Sequence, residues 1–257
     1  MSYLDAIILG ILQGLTEFLP VSSSGHLVIA QALLHVKSSG VSFEVTLHIG
    51  TLLSVLVYFR KQIGQLILSL FRKEMIDERK IVGFLILGTI PAGLVGLLFK
   101  DFFESAFSSP LLTSVMLLVT GFILFMSRFS KSGRRPVGLW SAIGMGLGQA
   151  AAIFPGISRS GSTIVAGMLS GVQPSKAAEF SFLLAIPAIG GAAVLEGKHL
   201  LSLSTEMLGH YVVGAVCSFV FGLIAVYAVL AMIRRGRFEY FGYYCFAAGL
   251  LGLYLFW

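Results

Sequence analysis

The segment from Glu17 to His26 concentrates polar side chains between two apolar stretches. It reads EFLPVSSSGH and contributes a carboxylate, three consecutive hydroxyls at 22–24 and an imidazole. Gln13 precedes Glu17 by four residues, so the two side chains share a face if this part of the chain is helical. A carboxylate, an amide, a serine and a histidine can orient a nucleophile and transfer a proton, as phosphoryl chemistry requires.

A second polar segment, PGISRSGST at 155–163, surrounds Arg159 with hydroxyls. A glycine–serine loop that opens a helix presents free N–H groups and the positive end of the helix dipole. The guanidinium adds a planar fork that suits phosphate oxygens. This loop is therefore predicted to bind an anion. Its other members are the hydroxyl residues Ser158, Ser160, Ser162 and Thr163, together with Gly161.

Single polar residues in apolar helices also have a structural interpretation. A lone serine in a membrane helix usually bonds to its own backbone, whereas an ionisable residue inside a membrane is expensive and usually functional. We therefore expect Glu17, His26 and Arg159 to occupy one site. For Glu44, His48 and Glu179, which lie near the starts of apolar segments, a supporting or interfacial position is equally compatible with the sequence.

The composition is that of a membrane protein. Of the 257 residues, 56% are hydrophobic and 12% are charged, whereas soluble domains carry about 25% charged residues. The apolar runs are continuous rather than alternating, which favours transmembrane helices over a barrel. The formal charge of +6 is interpreted as basic loops that set orientation, so no nucleic-acid partner is expected.

Six transmembrane helices are predicted, and two further apolar segments are interrupted by proline, glycine and serine. The interrupted segments, about 3–36 and 138–171, are predicted to be re-entrant helix–loop–helix pairs that enter the membrane and return on the same side. The predicted spans are 41–59, 81–99, 110–128, 177–195, 211–233 and 240–257.

The basic residues support this topology, because most of them fall on one predicted face. That face should be cytoplasmic, which places both termini outside. It carries Arg60, Lys61, Arg72, Lys73, Arg79, Lys80, Arg128, Lys131, Arg134, Arg135, Lys176, Arg234, Arg235 and Arg237. The opposite face carries Lys37, Lys100 and Lys198.

An internal repeat relates the two interrupted segments. A shift of 136 residues aligns them with the shared pattern G-x2-Q-x4-F-x3-S-x-S-G. Three predicted spans follow each copy, so the second copy should have inverted topology. We expect a single membrane domain at 1–257, with repeat 1 at about 1–130 and repeat 2 at about 136–257. Such repeats place a site near the membrane midplane, where the two interruptions meet.

The stretches QGLTEFLPVSSSGH (13–26) and PGISRSGST (155–163) resemble the two signature motifs of the bacitracin-resistance family of undecaprenyl-diphosphate phosphatases. The likeness extends to FEVTLHIGT (43–51) and AAEFSFLLAIP (177–187). It implies removal of the terminal phosphate from undecaprenyl diphosphate, a polyprenyl lipid in the bacterial plasma (inner) membrane. The product is the lipid carrier for cell-wall synthesis, and loss of the diphosphate removes the target of bacitracin. The resemblance also implies a pocket that opens to the outer face, and a homodimer is compatible with it.

The resemblance further implies a divalent cation, Mg²⁺ or Ca²⁺, near Glu17 and Gln13. The first family motif has Glu or Gln at its first position and Glu at its fifth, so this chain carries the amide variant, with one negative charge less. The catalytic residues implied are Glu17, Ser23, His26 and Arg159. The substrate-binding residues implied are Ser22, Ser24, Ser158, Ser160, Gly161 and Thr163.

Several alternatives stay open at this stage. The nucleophile could be Ser23, His26 or a water molecule, and either His26 or Glu17 could handle the proton. A transporter of prenyl phosphate or of a coupled ion is the alternative function, since transporters also use inverted repeats and broken helices. Release of phosphate from a prenyl diphosphate distinguishes the two.

Overall fold

The computed structural model of the chain describes residues 1–36, 41–130, 133–201, 205–234 and 238–257. Helices account for most of these residues, and in the described ranges the only β-type pairing is an isolated bridge between Arg135 and Val172. Lys37, Lys131, Arg235 and Arg237, which contribute to the predicted charge asymmetry, lie outside the described residues.

Helices lie at every place where a span was predicted. The helices are α1 (Tyr3–Phe18), α2 (Ser23–Leu33), α3 (Val41–Tyr58), α4 (Arg60–Ser69), α5 (Ile76–Leu98), α6 (Lys100–Phe107), α7 (Pro110–Met126), α8 (Leu139–Ala151), α9 (Arg159–Leu169), α10 (Pro174–Leu201), α11 (Thr205–Arg234) and α12 (Tyr240–Phe256). Within the described ranges, α5, α7, α10 and α11 are long and apolar enough to cross a bilayer. Together α3 and α4 form a fifth candidate, bent by 79°, whereas the apolar α12 is shorter. The prediction of an all-helical, multi-pass membrane protein is confirmed at this level.

Both interrupted segments form two helices that flank a short break. The first break separates α1 from α2, and the second separates α8 from α9. Under the shift of 136 residues, α1 and α8 begin at equivalent positions, and α2 and α9 begin and end at equivalent positions. The two segments therefore share one local backbone plan.

The two segments also pack in a matching way against the rest of the bundle. Helix α1 runs along α11, and α8 runs along α5. The crossing points are glycines: a Cβ on Gly10 would collide with the carbonyl oxygen of Gly214, and a Cβ on Gly146 would lie 2.6 Å from that of Gly88. Small residues of this kind let membrane helices approach closely. In addition, α3 packs on α10 and α7 packs on α12.

An aromatic contact in the core fixes the end of α1 relative to α10. Phe18 is fully buried, and its ring meets the buried ring of Phe182 edge-to-face, with centroids 5.2 Å apart. Because Phe18 follows Glu17 and Phe182 follows Ser181, this packing sets the distance between two polar positions of the candidate site.

Candidate functional site

Each break ends in a serine that caps the helix after it. The Oγ atom of Ser22 accepts a hydrogen bond from the backbone N–H of Gly25 (3.2 Å), and the Oγ atom of Ser158 accepts one from Gly161 (3.0 Å). Side-chain caps of this kind satisfy the free N–H groups at a helix start. Ser22 has φ 68°, a left-handed conformation that is uncommon for residues other than glycine. It turns the chain sharply, so that α2 begins directly after the break.

Glu17 is the centre of the polar cluster. It is only 6% exposed, and its Oε2 atom accepts hydrogen bonds from Gln13 Nε2 (2.9 Å) and Ser23 Oγ (2.6 Å). Its other oxygen, Oε1, accepts from Nη2 of Arg159 in an ion pair. The carboxylate thus joins the first break to the second, as the repeat predicted.

Arg159 is held on a second side by α10. Its Nη1 atom donates to the carbonyl oxygen of Ser181 (3.3 Å). The guanidinium carries five N–H donors, and its side chain is 16% exposed. It therefore has both a fixed position and donor capacity for an anion.

Thr163 lies one helical turn after Arg159 and bonds its backbone. It is fully buried, donates to the carbonyl oxygen of Arg159 (2.8 Å) and contacts the hydroxyl of Ser181 at 2.6 Å. The structure therefore places Thr163 where it supports the first turn of α9, and its role in substrate binding stays a prediction.

The serine hydroxyls of the two breaks form matching pairs. Ser22 Oγ lies 3.3 Å from Ser24 Oγ, and Ser158 Oγ lies 3.3 Å from Ser160 Oγ. Ser160 also donates to the carbonyl oxygen of Leu19 at 2.9 Å, so the breaks are in direct contact. The predicted serines are brought together around the junction of the two segments.

His26 is oriented toward α12 rather than toward Glu17. Its Nδ1 atom lies 2.7 Å from the carbonyl oxygen of Ser22, and its Nε2 atom lies 2.7 Å from the hydroxyl of Tyr244. A carbonyl oxygen only accepts, so Nδ1 carries a proton and neutral His26 accepts the Tyr244 proton at Nε2. The rings stack, with centroids 5.6 Å apart.

His48 is a neighbour of Glu17 that the sequence did not place. Its Nδ1 atom donates to the carbonyl oxygen of Glu44 (2.7 Å), and its Nε2 atom lies 3.5 Å from Glu17 Oε2. The only sequence signal for His48 was that it is an ionisable residue within an apolar segment. Glu44 and Glu179 have the same signal, so it did not single out His48. Glu179 instead pairs with Lys176 at 2.8 Å.

The donor set around Glu17 suits a cation that prefers oxygen ligands. The Oε1 atom of Gln13 is buried and has no hydrogen-bond partner among the described residues. The Nε2 atom of the same amide bonds the Glu17 carboxylate, and carboxylate and amide oxygens are ligands of Mg²⁺ and Ca²⁺. The described residues contain no group of three or more His, Cys, Asp or Glu side chains able to hold a metal.

An apolar groove of about 920 Å³ lies beside the first break, between α1, α11 and α12. Because Leu19 and Tyr244 belong both to this groove and to the polar junction, the groove is continuous with the site. Its lining residues are Leu15, Thr16, Leu19, Val21, Met232, Tyr240, Phe241 and Tyr244.

Comparison with known proteins covers nearly the whole chain. The family described as "Bacitracin resistance protein BacA" matches residues 6–251. The chain is 47% identical over 255 residues to an undecaprenyl-diphosphatase of Syntrophotalea carbinolica, with 97% of each protein covered. It is 37% identical over 270 residues to one of Desulforapulum autotrophicum, with 98% of each covered. It is 42% identical over 260 residues to one of Korarchaeum cryptofilum, with 97% of this chain and 98% of the relative covered.

Proposed function

The chain belongs to the bacitracin resistance protein BacA family, and on that premise we propose that it hydrolyses undecaprenyl diphosphate to undecaprenyl phosphate and inorganic phosphate. This reaction recycles the lipid carrier for cell-wall synthesis and removes the target of bacitracin. The observation that carries the proposal is the cluster of Glu17, Ser23 and Arg159, in which one carboxylate bonds both a hydroxyl and a guanidinium.

In the proposed mechanism, Arg159 and the helix starts at Ser22 and Ser158 bind the diphosphate. The start of a helix attracts anions through its free N–H groups and its dipole. In the structure, Nη2 of Arg159 donates to Glu17. An entering phosphate oxygen replaces Glu17 as the acceptor of this hydrogen bond. The carboxylate released from this ion pair becomes a stronger base for its other partner, Ser23.

Ser23 is the nucleophile that the geometry favours. Its hydroxyl already donates to Glu17 Oε2 at 2.6 Å, so the proton moves to Glu17 as Oγ bonds the terminal phosphorus. The bond from phosphorus to the bridging oxygen breaks, and its electron pair leaves with the prenyl monophosphate. Water then attacks the phosphoserine, the bond from phosphorus to Ser23 Oγ breaks, and Glu17 returns its proton to Oγ, which restores the hydroxyl and the carboxylate as phosphate leaves with the oxygen and protons of the water. By contrast, both ring nitrogens of His26 are engaged.

A Mg²⁺ or Ca²⁺ ion is part of the proposal, with Glu17 and the free Oε1 atom of Gln13 as its protein ligands. Such an ion supplies positive charge that offsets the phosphate charges. The buried, unpaired amide oxygen supports this assignment.

We further propose that the chain is one domain with an inverted-topology repeat. It would comprise six transmembrane helices and two re-entrant pairs in the bacterial plasma membrane, with the site open to the outer face and both termini outside. The matching bounds of α2 and α9, and the matching packing of α1 on α11 and of α8 on α5, support the repeat.

The decisive experiment measures phosphate release from undecaprenyl diphosphate by the detergent-purified protein. Ser23→Ala should lower turnover at least about a hundredfold, a typical loss for a catalytic group, and acid quenching should trap a phosphoserine only in the wild type. Ser105→Ala is the matched control, because Ser105 is exposed and bonds only its own helix backbone at Phe102.

The outcomes separate the alternatives. Rapid release without a trapped phosphoserine, together with an active Ser23→Ala variant, would indicate direct attack by water. If the wild type bound prenyl phosphate but released no phosphate from the diphosphate, the hydrolase proposal would fail. A transporter would then explain the site better.

A further inference from the structure

Among the described residues, only Tyr244 both contacts the Nε2 atom of His26 and lines the apolar groove. It lies on α12, far from the first break in sequence, and reaches His26 only because the bundle packs α12 beside the start of α2. Its hydroxyl is 2.7 Å from Nε2, and its ring is nearly parallel to the imidazole, with an interplanar angle of 6°.

The hydrogen bond from Tyr244 determines the tautomer and the orientation of the His26 ring. Both ring nitrogens are engaged: Nδ1 donates to the carbonyl oxygen of Ser22, and Nε2 lies 2.7 Å from the Tyr244 hydroxyl. In this arrangement Nε2 accepts the Tyr244 proton, which holds the ring in one tautomer and one orientation. His26 lies one helical turn after Ser22 and Ser23 and therefore on the same side of α2.

The groove has the character of a binding site for a hydrocarbon chain. Its volume of about 920 Å³ lies within the range of small-molecule sites, which are roughly 300–1,000 Å³ and mostly apolar. Its lining is aliphatic and aromatic, apart from the hydroxyls of Thr16, Tyr240 and Tyr244. Leu19 connects it to the second break, because its carbonyl oxygen accepts from Ser160.

We propose that Tyr244 is a positioning residue that couples the two ends of the substrate. This inference rests on the proposed function. The first isoprene units of the lipid lie in the groove against the Tyr244 ring, while the Tyr244 hydroxyl holds His26 beside the diphosphate. Occupation of the groove and the orientation of His26 are thereby linked through one side chain.

Two substitutions separate the two roles. Tyr244→Phe keeps the ring and loses the hydroxyl, so it should lower kcat about tenfold, less than the roughly hundredfold or greater loss typical of a group that itself transfers a proton, with KM unchanged. Tyr244→Ala also removes the wall of the groove, so it should raise KM for undecaprenyl diphosphate but not for dimethylallyl diphosphate, whose five-carbon chain cannot fill the groove.

Tyr254→Phe and Tyr254→Ala are the matched controls, because Tyr254 lies on the same helix and is 84% exposed. Both should behave like the wild type. A Tyr244→Phe variant with wild-type kcat would overturn the positioning role. A Tyr244→Ala variant that changed KM equally for both chain lengths would overturn the groove assignment.

Two readouts do not depend on turnover. Nitrogen-15 NMR of the imidazoles should show one Nε2 signal moving in Tyr244→Phe and none moving in Tyr254→Phe. Calorimetry should show that Tyr244→Ala weakens binding of a farnesyl monophosphate but not of inorganic phosphate. If the wild type hydrolysed no diphosphate, the proposed function would fail, whereas these two results would still decide the inference about Tyr244.

Discussion

The two breaks share a backbone plan but carry different chemistry. Under the shift of 136 residues, Gln13 corresponds to Gln149, Glu17 to Ile153, Ser23 to Arg159 and His26 to Ser162. Gln13 donates to Glu17, whereas both amide atoms of Gln149 are buried without a partner among the described residues. The carboxylate exists on one side and the guanidinium on the other, so the two segments complete one site between them.

This contrast shows how a symmetric frame supports an asymmetric reaction. The bounds of α2 and α9, the starts of α1 and α8, the serine caps and the glycine crossings are matched. Ser23 and Arg159 occupy equivalent positions, and each bonds the same carboxylate of Glu17. The frame thus brings the Ser23 hydroxyl, which we propose as the nucleophile, and the Arg159 guanidinium, which we propose as the anion-binding group, to one carboxylate.

The largest expected loss of activity comes from substitutions of Glu17 and Arg159, the ion pair that joins the breaks. Glu17→Ala and Arg159→Ala should each lower kcat/KM for undecaprenyl diphosphate at least about a hundredfold, since each removes a charge aimed at the reacting group. The losses should not add in the double variant, because each single change leaves a buried charge unpaired. Glu179→Ala and Arg128→Ala are the matched controls. Normal activity of purified Arg159→Ala would contradict the view that both breaks supply chemical groups, because the second break would then have only a structural role.

The next effect tests whether the frames are equivalent. Gly10→Ala and Gly146→Ala should each lower the free energy of unfolding by about 1–3 kcal/mol, the usual range for an overpacked contact, because the new Cβ meets backbone. Unfolding in detergent, followed by near-ultraviolet circular dichroism, measures both.

Gly64→Ala provides the control for these glycines, since no atom lies within 4 Å of a Cβ placed there. It should leave stability the same or raise it. A large loss for Gly10→Ala with none for Gly146→Ala would show that only α1, and not α8, depends on a close crossing.

The smallest effect compares the two buried amides. Gln13→Leu should lower turnover about tenfold, the effect of a weakened hydrogen-bond network at a catalytic group, and raise the Mg²⁺ concentration needed for half-maximal activity. Gln149→Leu should leave turnover unchanged and stabilise the protein by about 1 kcal/mol, because it removes a buried polar group without a partner.

Metal titration of phosphate release, together with thermal unfolding, checks both amide variants. If Gln149→Leu shifted the Mg²⁺ dependence as much as Gln13→Leu did, the second break would take part in the cation site, and the proposed division of chemistry would be incorrect.

The sequence predicted the elements whose signals are local. Long apolar runs located α5, α7, α10 and α11, and clusters of proline, glycine and serine located both breaks. The repeat predicted that Glu17 and Arg159 meet, although they lie 142 residues apart. The short helices α4 and α6 were not predicted, because they lie in stretches assigned to loops and are too short to show a clear period.

The parts of the site that were missed depend on packing between distant helices. His48 comes close to Glu17 only because α3 lies beside α1, and Tyr244 reaches His26 across 218 residues. Neither contact has a motif of its own. The groove likewise exists only between three assembled helices.

The ion pair between Glu17 and Arg159 lets the two opposite charges at the centre of the site balance each other. Burying this ion pair in a hydrocarbon surrounding costs less free energy than burying a lone guanidinium would. In the proposed mechanism an anion must compete with Glu17 for Arg159, so we expect the site to bind highly charged headgroups in preference to weakly charged solutes. In the proposed mechanism, return of the Glu17 carboxylate to Arg159 should weaken the binding of the phosphate product.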